Sequence, residues 1–194
     1  MKNAKIQNEI QAIFSAIEAS IDTRIASASN DNMLKELNTS KRLFTLHLAT
    51  VLHAENADYK MIAQSIAIAD KNHESFFAQK ALIKMMQVTR TLSQNIDSLD
   101  RYTRNFLHSM LICNGTASNK EIEQGMCKNI VTDNLKLRKN ALHIATSTCD
   151  TQSSSSRRML SHLNIIKYDN KTHSQSFASD EMKARVLKFI KTEI

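Results

Sequence analysis

Residues 151–166 read TQSSSSRRMLSHLNII, a polar and basic run that passes into an apolar one. A helix over this stretch, at about 100° per residue, places on one side three apolar residues and a small serine: Met159, Leu160, Leu163 and Ser156. On the opposite side it places two arginines and two serines: Ser154, Arg157, Arg158 and Ser161. The stretch therefore predicts a helix that packs through its apolar side and presents guanidinium and hydroxyl groups to its surroundings.

The rest of the composition favours helices. The 194 residues include no proline and two glycines, where average usage would give roughly ten and more than a dozen. These two residues are the strongest breakers of regular structure, so their scarcity predicts a mainly α fold. Gly115 and Gly125 fit neither a P-loop nor a dinucleotide-binding fingerprint. This argues against the common enzymes that bind nucleotide phosphates through a glycine-rich loop.

The positive charge is concentrated in one half of the chain. The formal net charge is +7, of which residues 1–98 contribute +1 and residues 99–194 contribute +6. An excess confined to one half predicts a polyanion-binding part joined to a neutral one.

Apolar residues at steps of three and four run through residues 1–113 and predict a helical bundle. Between residues 82 and 113 these steps form a seam of period 3.5, and Glu74 to Cys113 contains no glycine or proline. The seam predicts a long central helix of roughly 60 Å at 1.5 Å per residue. It fits a core helix within one chain and a dimer seam equally well.

Turn and cap signals divide the remainder. Asn114–Gly115 is a natural helix stop, and Ser118 with Glu121 has the spacing of a capping box. Residues 165–168 and 172–177 predict a small β-hairpin around the turn DNK. Ser179 is expected to cap a last helix.

The order from Leu135 to Phe177 is helix, tight polar connection, short helix and small hairpin. It resembles the winged helix-turn-helix superfamily, through ALHIATSTCDTQ (141–152) for the first helix and turn, SSSSRRMLSHL (153–163) for the recognition helix and NIIKYDNKTHSQSF (164–177) for the wing. The resemblance implies two domains: a helical bundle over 1–113, for dimerisation or for binding an effector or protein partner, and a basic winged helix-turn-helix over 114–194.

The resemblance also implies double-stranded DNA as a partner. Arginine reads guanine edges in the major groove, and serine bonds bases or phosphates. The candidate DNA-binding residues are one at the end of the turn, Gln152, five on the recognition helix, Ser154, Arg157, Arg158, Ser161 and His162, and three in the wing, Lys167, Lys171 and His173.

A second window, SNKEIEQGMCKNIVTDNL (118–135), begins like the helix-turn-helix of LuxR-type regulators. We interpret its helix as a scaffold of the same domain. If this window contained the DNA-recognition helix, the base-facing candidates would be Asn129, Thr132, Asn134 and Lys136.

Other chemistry is not indicated. The three cysteines and seven histidines have no zinc-finger or i, i+4 spacing, so no metal, cofactor or catalytic residue is expected. The amino terminus lacks the apolar run of a signal peptide, and lysines interrupt the most apolar segments. We expect a cytoplasmic protein that is not an enzyme and does not enter a membrane.

Two functions remain open. The first is a sequence-specific DNA-binding protein, most simply a homodimeric transcriptional regulator. The second is an all-helical interaction or assembly protein without DNA readout, such as a scaffold or an inhibitor of a protein complex, of viral or mobile-element origin. Steep salt dependence of DNA affinity distinguishes the first from the second.

Overall fold

A computed structural model describes residues 2–52, 61, 64–65, 67–68, 80–95 and 97–190. The chain divides into two units, Met1–Ser98 and Leu99–Ile194, so the division falls ahead of the boundary expected after residue 113. The described part is mainly helical, and the second unit also contains a small antiparallel sheet. The mainly α prediction is confirmed.

Three helices of the first unit are described along their length: α1 (Lys2–Ala26), α2 (Asp31–Leu52) and α3 (Lys80–Gln94). α2 packs against both α1 and α3. Six buried apolar residues follow the helical spacing read from the sequence: Ile10, Ile17, Ile21, Leu37, Met85 and Leu92. Met86 and Val88 of α3 are also buried, outside that spacing. On the surface, Lys41 Nζ lies 2.6 Å from an Asp22 carboxylate oxygen and links α2 to α1.

The prediction of one long central helix through the 82–113 seam was wrong. α3 ends at Gln94, and a separate helix, α4, spans Arg101–Ile112. Asn95 adopts a left-handed φ of 55°, and the Asp100 carboxylate accepts hydrogen bonds of 3.0 and 3.1 Å from two first-turn N–H groups of α4. A left-handed asparagine thus ends one helix, and an aspartate that accepts from the first-turn N–H groups starts the next. The apolar spacing continues through this break and conceals it.

The second unit begins with α4 and continues through β1 (Thr116–Ser118), α5 (Asn119–Met126), α6 (Leu135–Asn140), α7 (Thr146–His162), β2 (Ile166–Asp169), β3 (Ser174–Phe177) and α8 (Asp180–Leu187). Many of its buried apolar side chains come from α4, α5, α7 and the start of the hairpin: Phe106, Leu107, Met110, Ile122, Met126, Met159, Leu160, Ile165 and Ile166. α6 and α8 contribute Leu137 and Val186. α7 packs on both α4 and α5.

The sheet has three strands in the order β1-β3-β2, and both pairings are antiparallel. The predicted hairpin is present as β2 and β3, with Tyr168 opposite Gln175. The buried Gln175 side chain donates a 2.7 Å hydrogen bond to the carbonyl of Ala117 in β1. This third strand was not predicted, because three residues carry too little alternation to be recognised.

The predicted caps are confirmed. Asn114 and Gly115 have φ values of 58° and 99° after α4. Ser118 and Glu121 form a reciprocal capping box at the start of α5. Ser179 caps α8 by accepting a hydrogen bond from the N–H of Met182. These motifs act within one turn of the chain, so the sequence encodes them directly.

The segment expected to form a first helix and a tight turn, residues 141–152, does neither. Its last seven residues are the opening turns of α7 itself, which begins after Ala145. Threonine and serine are tolerated in a helix whose other side is buried, and no breaker interrupts the segment. The helix that precedes α7 and packs on it is α5, with α6 lying in the connection between them.

Candidate nucleic-acid interface

α7 is oriented by its buried side. Met159 and Leu160 are fully buried, and the Ser156 hydroxyl lies 3.3 Å from the hydroxyl of Thr103 on α4. This buried serine allows α7 to lie close to α4, as its position beside the apolar residues predicted. The opposite side of α7, which includes exposed Ser154 and Arg158, faces away from the core.

Arg157 is half-buried and its guanidinium group has three partners. Nη2 lies 3.5 Å from the Ser154 hydroxyl on the same helix. Nη1 donates a 2.9 Å hydrogen bond to Oδ1 of Asn119, the first residue of α5. The guanidinium carbon lies 4.4 Å from the centre of the Tyr168 ring in β2, which is within the range of a cation–π contact. Arg157 therefore joins α5, α7 and β2.

The Tyr168 hydroxyl extends this network. It accepts a 3.1 Å hydrogen bond from Asn119 Nδ2 and lies 3.2 Å from Nδ1 of His173. The backbone N–H of Asn119 also donates to the carbonyl of His173 at 3.0 Å. The network, defined here as Arg157, Asn119, Tyr168 and His173, connects the recognition-helix candidate to the hairpin.

A groove of about 500 Å³ lies between the carboxyl-terminal half of α7 and β2. It is lined by Arg157, Arg158, Ser161, His162, Asn164, Ile166, Lys167, Tyr168 and Asn170. The Ser161 Oγ atom is buried and has no hydrogen-bond partner among the residues that the structure describes. Basic and hydroxyl groups thus line a concave surface rather than a flat helix face.

The hairpin turn is ordered by Asp169. Its carboxylate accepts 2.8 Å hydrogen bonds from the backbone N–H of Lys171 and from the hydroxyl of Thr172. The Lys171 N–H bond, followed by the Thr172 bond, lowers the pKa of Asp169 below its ordinary value of 3.8. The turn carries exposed Lys171 and His173 at its tip.

The nine predicted residues separate into three groups. Five line the groove: Arg157, Arg158, Ser161, His162 and Lys167. Two, Gln152 and Ser154, lie nearer the start of α7, half-buried and exposed respectively. Lys171 and His173 are in the hairpin turn, and His173 contacts the groove residue Tyr168.

The candidate residues of the second window, 118–135, lie in the segment that connects α5 to α7. Asn134 caps α6 by accepting from the N–H groups of Lys136 and Leu137. Asn129 donates to the carbonyl of Ile144, and Thr132 accepts from the N–H of Asn134. The side chains of Asn129, Thr132 and Asn134 thus bond the backbone of residues 129–145. Among the described residues, the Lys136 side chain makes no such bond. Residues 127–134 are not helical, so this window presents no reading helix.

Sequence reasoning missed Asn119, Tyr168, Asn164 and Asn170. Tyr168 carried a usable signal, since it is an aromatic residue between basic positions in a predicted wing strand. Asn119 gave none, because it lies 38 positions from Arg157. Its role depends on how α5 packs against α7.

Acidic residues border the same region. Burial and the nearby charge of Asp150 raise the pKa of Glu123, and the positive charge of Arg157 opposes that rise. Arg157 thus also offsets repulsion between two carboxylates on α5 and α7.

No protein-family model, curated protein or solved structure matches the chain. Within the described residues, no group of three or more histidine, cysteine or acidic side chains is arranged to hold a metal ion. The described helices include none whose length and apolar character would let it cross a bilayer.

Proposed function

We propose that the Leu99–Ile194 unit binds double-stranded DNA as a winged helix-turn-helix. α5 serves as the first helix of the motif, α7 as the recognition helix and the β2–β3 hairpin as the wing. The connection between the helices, residues 127–145, contains α6 in place of a tight turn. The protein acts as a sequence-specific transcriptional regulator.

The element order supports this proposal. A helix, a short strand, three helices and a hairpin follow one another from α4 to β3, and β1 completes the sheet beside β3. This order leaves the outer side of α7 and the hairpin next to each other, with the groove between them. A duplex that accepts α7 in its major groove would bring its backbone to the hairpin.

The observation that carries the proposal is the basic surface of that groove. Arg158 and Lys167 are both exposed there, and Arg158 makes no hydrogen bond, ion pair or ring contact to another described residue. An exposed guanidinium group on a helix face is suited to bidentate contact with a guanine edge. The +6 charge of residues 99–194 supplies attraction to phosphates.

A homodimer would place two copies of α7 in successive major grooves of a near-palindromic site. The first unit, with a net charge of +1 over residues 1–98, is the proposed dimerisation, effector-binding or protein-binding part. Its small net charge makes it an unfavourable polyanion-binding surface.

The test is fluorescence anisotropy with a pool of random duplexes at about 50 and 200 mM salt. With six or more phosphate contacts, affinity should fall by several hundred-fold or more between these salts. Sequences selected from the pool at the higher salt should bind far more tightly than the pool itself.

Arg158→Ala should weaken binding to the selected duplex by about tenfold or more, which is the usual range for one bidentate base contact. The matched control is Arg42→Ala, which removes an exposed arginine of α2. Arg42→Ala should change affinity less than about twofold. Equal affinities for wild type and Arg158→Ala on the selected duplex would contradict the assignment.

An interaction or assembly protein is the second candidate. It is favoured by Leu34 and Leu46 of α2, which are 38% and 59% exposed. Exposed leucines suit contact with a protein surface. Large oligomers in light scattering, with no salt-dependent DNA affinity, would support this candidate over DNA binding.

A further inference from the structure

The two neighbouring arginines of α7 have different surroundings. Arg158 is exposed, whereas Arg157 is half-buried, hydrogen-bonded to Asn119 and stacked over Tyr168. Base reading requires a guanidinium group whose donors are free to form a fork with a guanine edge. Arg157 would have to give up its contacts with Asn119 and Tyr168 before it could read a base.

We infer that Arg157 is a positioning residue that fixes β2 and the hairpin against α7, and that Arg158 carries the base contact. The inference rests on the proposed DNA-binding function and assigns separate roles within it. Arg157 affects DNA through Tyr168 and the groove wall, without touching a base.

The chemistry of the contacts supports this role. We call the attachment of β2 to α7 through Arg157 and Tyr168 the clamp. A planar guanidinium group stacks flat on an aromatic ring while its edge donates directed hydrogen bonds, whereas an ammonium group is a compact point charge without a plane that can stack. Tyr168 uses both its ring, against Arg157, and its hydroxyl, beside Asn119 and His173. The four residues of the network therefore hold an edge strand that otherwise pairs only with β3.

The location of Tyr168 gives the clamp a functional consequence. Tyr168 of β2 and Arg157 of α7 both line the groove, together with Arg158 and His162 of α7. A shift of β2 would change the distance between Lys167 on the strand and Arg158 on the helix. The spacing of these two cations must match a duplex in which one contacts the backbone and the other a base.

The experiment measures hydrogen–deuterium exchange of full-length protein, following amides of residues 164–171. Arg157→Ala should speed their exchange by about tenfold, as expected when a charge-assisted hydrogen bond and a ring contact are both lost. Arg158→Ala is the matched control, because it removes a neighbouring arginine without these contacts, and should leave exchange unchanged.

Arg157→Lys separates charge from shape. It keeps a positive charge near Glu123 but lacks the planar fork, so exchange should rise nearly as much as in Arg157→Ala. Native exchange in Arg157→Lys would overturn the clamp, since charge alone would then suffice. Tyr168→Phe keeps the ring and should preserve most of the protection, whereas Tyr168→Leu should resemble Arg157→Ala.

DNA binding supplies the second readout. Arg157→Ala should weaken binding to selected and random duplexes by similar factors. Arg158→Ala should instead lower the ratio of the affinity for the selected duplex to the affinity for random duplexes. Loss of that ratio in Arg157→Ala, with native exchange at residues 164–171, would make Arg157 a base reader and overturn the inference. If the wild type bound no duplex, the proposed function would fail, and the exchange measurements would still decide the clamp.

Discussion

Gly125 of α5 lies so close to Ser109 of α4 that a methyl group has no room between the two helices. A Cβ atom on Gly125 would lie 2.8 Å from Ser109 Cβ and 3.0 Å from Leu137 Cδ2 of α6. Real Cβ atoms essentially never approach as closely as the first distance and seldom as closely as the second, so three helices of the second unit meet at a position that favours glycine. The requirement is steric, because the φ of Gly125 is not positive.

Gly125→Ala should lower the free energy of unfolding by about 1–3 kcal/mol, the usual cost of overpacking a tight core. Urea unfolding followed by circular dichroism measures this change. In a Ser109→Gly background the same substitution should cost less, because the closest neighbour is gone. Equal costs in both backgrounds would show that Ser109 does not limit the approach of the helices.

His108 on α4 should make the second unit less stable below neutral pH. Burial lowers the pKa of its imidazole below the ordinary 6.5, and the charge of Arg104 acts in the same direction, against a hydrogen bond with Asn140. As pH falls below 6.5, the unfolded chain takes up a proton that the folded chain does not yet bind. The contribution to stability is therefore complete above pH 6.5 and decreases below it.

Urea unfolding at about pH 7.5 and 5.5 tests the His108 prediction. Wild type should lose more unfolding free energy between these pH values than His108→Gln, which cannot be protonated. The comparison cancels the other titrating groups that both proteins share. An equal loss in the two proteins would contradict the prediction.

The hairpin turn should loosen in acid through Asp169. Hydrogen bonds from Lys171 and Thr172 lower the pKa of this fully exposed carboxyl below 3.8. The unfolded chain therefore binds the proton first, and the turn's contribution is present above pH 3.8 and is lost as pH falls through the lower folded value. Amide chemical shifts of Lys171 over an acid titration should report that value, whereas Asp169→Asn should show no such transition.

The cysteine thiols of the native protein should react slowly with iodoacetamide. Burial raises the pKa of Cys113 to about 11 and that of Cys149 to about 12. At pH 8 only about one Cys113 side chain in a thousand is then the reactive thiolate. Mass spectrometry should find Cys113 modified before the fully buried Cys149, and rapid labelling of all sites in urea. Fast modification of Cys149 in the folded protein would contradict the burial.

The sequence could not reveal the helix break before α4 from periodicity alone. The apolar spacing passes through residues 95–100, while the Asp100 cap and the left-handed Asn95 end and restart the helix. Hydrophobic periodicity reports which side of a segment is buried, not whether the backbone between two helices is continuous. The strand β1 was missed for a similar reason, since its three residues are defined by pairing with β3.

Local chemistry was readable from the sequence because its partners lie within a few residues. The box of Ser118 and Glu121, the stop at Asn114–Gly115 and the hairpin each depend on neighbours along the chain. The buried side of α7 was also predictable, since helical geometry fixes which residues share a face. The sequence by itself therefore determined the helical character, the caps and the hairpin.

The different surroundings of Arg157 and Arg158 were decided only by tertiary structure. Both arginines fall on the outer side of α7, and neither their angular positions on the helix nor the composition distinguishes them. Asn119 comes from α5 and Tyr168 from β2, and packing brings them to one arginine and not to its neighbour. A side chain's partners depend on the approach of elements that are distant along the chain, and that information is not contained in any local stretch of residues.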